Sequence, residues 1–142
     1  MNPYQHILIA TDFTEFSEKA ARRAKLLAEQ SGARLTLFHV IEELVPYSGD
    51  LEPLLLSPEL DDELKVLAES KIKDFASNTG LTDAALEVQW GSPKWVLPEW
   101  AEANSVDLIV IGTHGHSGLA RLLGSVSNGV VHHAHCDVLV VK

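Results

Sequence analysis

Five short apolar runs alternate along this chain with segments whose small and apolar residues recur at helical spacing. That alternation constrains the fold most. His6-Ile7-Leu8-Ile9-Ala10-Thr11 is too brief for a helix and nearly continuous in apolar residues, the pattern of a strand covered on both faces. Leu35–Ile41, Ala85–Trp90, Val106–Ile111 and Asp137–Val141 read as the other four strands. Phe16, Ala20, Ala24, Leu27 and Ala28 mark a first helix, and Leu60, Leu64, Leu67, Ala68, Phe75 and Ala76 a second. A third helix opens at Pro93, with Val96 and Trp100 on one face, and a fourth spans about Ser125 to His133. The order β-α-β-α-β-α-β-α-β predicts an α/β fold of parallel strands, right-handed crossovers and helices on both faces. Val106–Ile111, the most apolar run, is expected at the centre of the sheet. Ligands of such folds sit beyond the carboxyl ends of the strands, where the strand order reverses.

The punctuation agrees with this order. Thr14 is expected to cap the first helix through its hydroxyl, and Gly32 and Gly80 to end the first two helices in left-handed conformation. Ser57-Pro58 and Ser92-Pro93 read as a cap followed by proline at the first helical position. Pro98 predicts a kink, since it removes a hydrogen bond and crowds the carbonyl of Lys94. From Glu42 to Leu56 there is little periodicity, so a loop is expected. No linker or internal repeat marks a boundary, and residues 1–142 read as one domain.

Eleven basic against twenty acidic residues give a formal charge of −9, which disfavours general nucleic-acid binding. Apolar runs such as Leu108 to Ile111 fall far short of the ~20 residues a membrane helix needs, so no membrane partner is expected. The start of the chain lacks the pattern of a signal peptide, and the single cysteine, Cys136, forms no internal disulfide; a cytoplasmic location is expected.

Gly112-Thr113-His114-Gly115 leaves the fourth strand, and Gly124-Ser125 opens the fourth helix. Glycines let backbone approach an anion closely. The N–H groups of Ser125, Val126 and Ser127, with the positive end of the helix dipole, can receive a phosphate, and the hydroxyls of Ser125 and Ser127 add donors. The loop lacks the Gly-Lys-Ser/Thr of a P-loop, and the first strand runs into Thr11-Asp12-Phe13 rather than a dinucleotide-binding glycine turn.

Ile7 to Thr14, Leu37-Phe38-His39-Val40-Ile41, Asp107 to Gly115, Gly124-Ser125 and Cys136 to Val141 together resemble the universal stress protein family, in matching order over essentially the whole chain. The resemblance implies a Rossmann-like five-stranded parallel sheet of order 3-2-1-4-5 and a homodimer paired through the last strand. It also implies an adenine nucleotide, ATP, ADP or AMP, with Mg²⁺ as a further candidate. Carried over by position, Asp12 and Val40 would meet adenosine, with Ala10 and Thr11 beside them. Ile111 and Gly112 would lie against base and ribose, and His114, Gly115, Gly124, Ser125, Val126 and Ser127 would line the phosphate path. The family motif Gly-x2-Gly-x9-Gly-Ser/Thr is departed from once: residues 116–123 make the second spacing eight. That difference leaves the preferred number of phosphates open.

The remaining clusters have plainer readings. His132, His133, His135 and Cys136 lack a recognisable zinc spacing and read as surface histidines. Trp100 reads as core, and Trp95 as exposed and a candidate contact surface. No paired carboxylate, Ser-His-Asp order or P-loop lysine is present, so the chain reads as a stress-response regulatory module with an unknown protein partner. The alternatives are a slow ATPase or phosphotransferase using Asp12 and Mg²⁺, and a nucleotide-independent interaction module.

Overall fold

The computed structural model describes residues 4–42, 58–113 and 124–142. The Ser57 cap, the loop residues 43–56 and the glycine-loop residues His114 and Gly115 lie outside them. The elements are β1 (His6–Ala10), α1 (Glu15–Ser31), β2 (Arg34–Glu42), α2 (Pro58–Thr79), β3 (Ala85–Gly91), α3 (Pro93–Ala103), β4 (Leu108–Gly112), α4 (Ser125–His133) and β5 (Asp137–Val141). They form a parallel sheet of order β3-β2-β1-β4-β5. The centre is therefore β1, all five residues of which are buried, and the more apolar β4 is its neighbour. Apolar content misled here because both strands are covered on two faces and only their neighbours distinguish them. Glu42, read as loop, extends β2 and pairs with Gly91.

Strand periodicity of two divides the core into layers. Ile7, Ile9, Leu37, Leu108 and Val110 face α1 and α2, meeting Ala20, Ala21, Ala24, Ala28, Ile72, Phe75 and Ala76. Leu8, Ala10, Phe38, Val40, Ile109 and Ile111 face α3 and α4, meeting Leu97, Ala101 and Val130. The alanine stripe lets α1 lie close to the sheet. On α2, Ala68, Phe75 and Ala76 are buried as expected and Ile72 joins them on the same face, while Leu67 is exposed, contrary to expectation. Helix α3 runs unbroken through the buried Pro98, and Trp100 packs on the second layer as expected.

The glycine caps follow expectation and the hydroxyl caps do not. Gly32 and Gly80 are left-handed, with φ of 76° and 75°. Thr14 and Ser92 stand at their N-cap positions, yet neither side chain makes a capping bond. The hydroxyl of Thr14 instead donates to Asp12 Oδ1, a charged and therefore stronger acceptor.

Candidate functional site

Strands β2 and β4 flank β1, and the connections leaving β1 and β4 depart to opposite faces of the sheet. A crevice follows at their carboxyl ends. It holds a cavity of about 370 Å³ bordered by the ends of β1, β2 and β4, the start of α4, and Pro93 and Leu97 of α3. Of the residues singled out from the sequence, Ala10, Thr11, Asp12, Val40, Ile111, Gly112, Gly124, Ser125, Val126 and Ser127 all border this one cavity.

Its β1 edge is a tight turn. Thr11 N–H donates to the Phe38 carbonyl (2.9 Å). The Ser17 hydroxyl donates to the Thr14 carbonyl (2.9 Å), so the Thr11 hydroxyl supplies the proton to Ser17 Oγ (2.9 Å) while accepting Phe13 N–H (2.9 Å). Asp12 Oδ1 accepts both N–H (3.1 Å) and hydroxyl of Thr14. This is an Asx turn, and it engages one carboxylate oxygen. Phe13 is left-handed at φ 67°, a conformation costing an ordinary side chain about 1–2 kcal/mol. Its ring is held against His39 (centroids 4.3 Å) and Phe75 (6.2 Å), with the Lys71 ammonium 5.8 Å from its centroid.

The opposite edge is the start of α4. Gly124 N–H donates to the Thr113 carbonyl (2.9 Å), and Thr113 N–H to Val141 (3.1 Å). The N–H groups of the first turn of α4 have no partner within the helix, and among the described residues no side chain caps them. Ser127 is buried and its hydroxyl donates back to the Gly124 carbonyl (3.1 Å), so that proton is not free for a ligand, contrary to expectation. Its backbone N–H is what Ser127 offers. Thr113 is only 3% exposed, and its hydroxyl has no hydrogen-bond partner among the described residues.

Sequence reasoning passed over Ser17, Phe38, His39, Ile41, Glu42, Pro93, Leu97 and Thr113, which also border the cavity. Most arrive through strand register or helix packing, which leave no local motif. Only His39 and Thr113, polar residues inside apolar runs, carried a signal. Burial pushes the His39 pKa below its ordinary value, against the opposing pull of the Thr11 carbonyl and Asp12. Among the described lining residues, Asp12 and Glu42 bring negative charge and no Lys or Arg is present. Among the described lining groups, positive potential therefore comes from the α4 amides.

The other clusters lie elsewhere. His133 stacks on the exposed Trp95 (centroids 3.9 Å), His132 meets His133 edge-on, and His135 Nε2 lies 3.7 Å from Glu102. Among the described residues no three His, Cys, Asp or Glu side chains converge as metal ligands. No described helix is long and apolar enough to cross a membrane.

Comparison with known proteins gives a consistent picture. Residues 3–142 match the universal stress protein family. Universal stress protein A homolog 1 of Coxiella burnetii is 35% identical over 139 residues, covering 97% of this chain and 96% of its own. Universal stress protein UspA from Lactobacillus plantarum superposes with a TM-score of 0.82 at 28% identity, over 98% of each chain. A universal stress protein solved in complex with cAMP superposes at 0.65 with 30% identity, over 99% of this chain and 98% of its own.

Proposed function

This chain belongs to the universal stress protein family, and from that premise we propose that its cleft binds an adenine nucleotide, AMP, ADP or ATP, as a regulatory module. One observation carries the reading: the start of α4 and the buried Thr113 hydroxyl, neither of which has a side-chain partner among the described residues, border the same cavity as an apolar floor. Val40 and Ile111, backed by the fully buried Phe38 and Leu97, offer a planar base apolar contact. The α4 amides offer donors to a phosphate without needing a lysine. The relative solved with cAMP supports a nucleotide as ligand class. Asp12, with Oδ1 committed to Thr14, serves this reading as a turn-maker and ligand contact rather than a base. The proposal includes a single cytoplasmic domain, an unidentified protein partner and a homodimer through the outer edge of β5, which pairs only with β4 within the sheet.

Thermal melts with millimolar AMP, ADP and ATP, each with and without Mg²⁺, test it. A ligand at 100 times its Kd stabilises the fold by about 2.7 kcal/mol. An upward shift is expected, and a flat response to all three nucleotides would refute the reading. Phosphate release equal in wild type and Asp12→Ala would mark any apparent turnover as contamination.

A further inference from the structure

We propose that His39 is a positioning residue for this cleft: its ring fixes the peptide between Thr11 and Asp12 so that the Asp12 N–H is presented to the ligand. The inference rests on the nucleotide reading above.

His39 Nδ1 lies 2.7 Å from the Thr11 carbonyl oxygen. A carbonyl only accepts, so Nδ1 carries the proton. The Thr11–Asp12 peptide is trans, and in a planar trans peptide the C=O and the following N–H point in opposite directions. Drawing the Thr11 oxygen toward His39 therefore turns the Asp12 N–H the other way. Among the described residues that N–H has no hydrogen-bond partner, and Asp12 borders the cavity.

The ring is itself immobilised. It alternates with Phe38 and Val40 along β2 and so lies on the α1/α2 side of the sheet, packed against the Phe13 ring at a tilt of 35°. Asp12 and Glu42 attract positive charge toward it and Lys71 repels it, while burial favours the neutral ring. The Nδ1–H bond survives in both protonation states. The arrangement also accounts for the left-handed Phe13, whose ring closes over the imidazole.

The test uses the full chain. ¹⁵N spectra at pH 7.5 are expected to show His39 protonated at Nδ1, and an Asp12 amide signal that moves on titration with AMP, ADP or ATP. His39→Leu keeps volume but loses the donor, and should weaken nucleotide binding about tenfold, the equivalent of one hydrogen bond of ~1.4 kcal/mol. His39→Asn places an amide N–H where Nδ1 stood and should recover most of that loss, which a merely space-filling role would not produce. Equal affinity in His39→Leu, no recovery in His39→Asn, or an Nε2–H tautomer in the wild type would each overturn the proposal. The tautomer and His39→Asn decide the matter even where His39→Leu does not fold. A wild-type protein that binds none of the three nucleotides defeats the nucleotide reading itself, which separates that failure from failure of His39 alone.

Discussion

The carbonyl oxygen of Phe16 stands 2.9 Å from where a Cβ on Gly112 would lie, and the Phe16 carbonyl carbon 3.0 Å from it. The first turn of α1 thus rests directly on the end of β4, at the mouth of the cleft. Both neighbours are backbone atoms, so a side chain at 112 has no flexible group to displace. Gly112→Ala is expected to push α1 outward and destabilise the protein by about 1–3 kcal/mol, as overpacking does. Because α1 starts directly after the Asp12 turn, nucleotide-induced stabilisation should shrink as well. Urea denaturation with and without nucleotide measures both effects. A variant as stable as wild type would show that α1 yields freely there.

This contact also shows where the sequence stops informing. The alternation of elements, the Asp12 turn and the Gly124-Ser125 helix start are local patterns, and they could be read directly. The close approach of Phe16 to Gly112 depends on how deeply an alanine-lined helix settles on a sheet, and no single segment encodes that. The same reason explains the misplaced central strand, since apolar content reports burial and not neighbours. Leu67 is a smaller case: it lies about 100° round the helix from Ala68, at the margin of the buried stripe, and contact with the sheet reaches Ala68 and Ile72 but not Leu67. Thr14 differs again, because the sequence shows a good cap and also the carboxylate two residues earlier that captures its hydroxyl.

Ser105 is left-handed at φ 57° in the exposed connection from α3 to β4. A serine there costs about 1–2 kcal/mol, and glycine removes that strain at an entropic cost near 0.5–1 kcal/mol in the unfolded chain. Ser105→Gly should therefore stabilise the protein by about 0.5 kcal/mol, raising the melting temperature by a degree or two without altering nucleotide response. A lower melting temperature would mean that the serine makes compensating contacts.

Acid should loosen the fold from the amino-terminal edge of the sheet. His6 is buried, with Nδ1–H donating to the Asn104 carbonyl (3.0 Å) and Nε2 accepting from the Thr36 hydroxyl (2.8 Å). Arg34 Nη2 lies 3.2 Å from that same Nδ1; two donors cannot bond each other, so this is a cationic contact disfavouring protonation. Burial pushes the His6 pKa below its ordinary value, with Arg34 assisting and Asn104 and Asp107 opposing. The folded state therefore binds its proton later than the unfolded chain. Stability is full above the ordinary histidine pKa near 6.5 and falls as pH drops toward the lowered folded value, by at most about 1.4 kcal/mol per pH unit for each such histidine. His39 acts in the same direction. Denaturation midpoints should decline from pH 7 to 5, and less steeply in His6→Leu. An unchanged slope in that variant would assign the acid sensitivity elsewhere.

Thr113→Val separates stability from binding most cleanly. The two side chains have the same shape, and the threonine hydroxyl is buried without a partner among the described residues. An unsatisfied buried polar group costs about 1–3 kcal/mol, so its removal should leave the free protein equally stable or more so. In the nucleotide-bound protein the hydroxyl has work to do beside the α4 amides, and losing it should weaken binding about five- to tenfold, the worth of roughly 1–1.4 kcal/mol. The two effects have opposite sign, which general damage to the fold cannot mimic. Calorimetric titration of AMP, ADP and ATP into both proteins, with melts of each alone, reads them together. Should the valine variant melt lower and bind equally well, the hydroxyl would be a structural group with no part in ligand recognition, and the anion would have to be held by the helix amides alone.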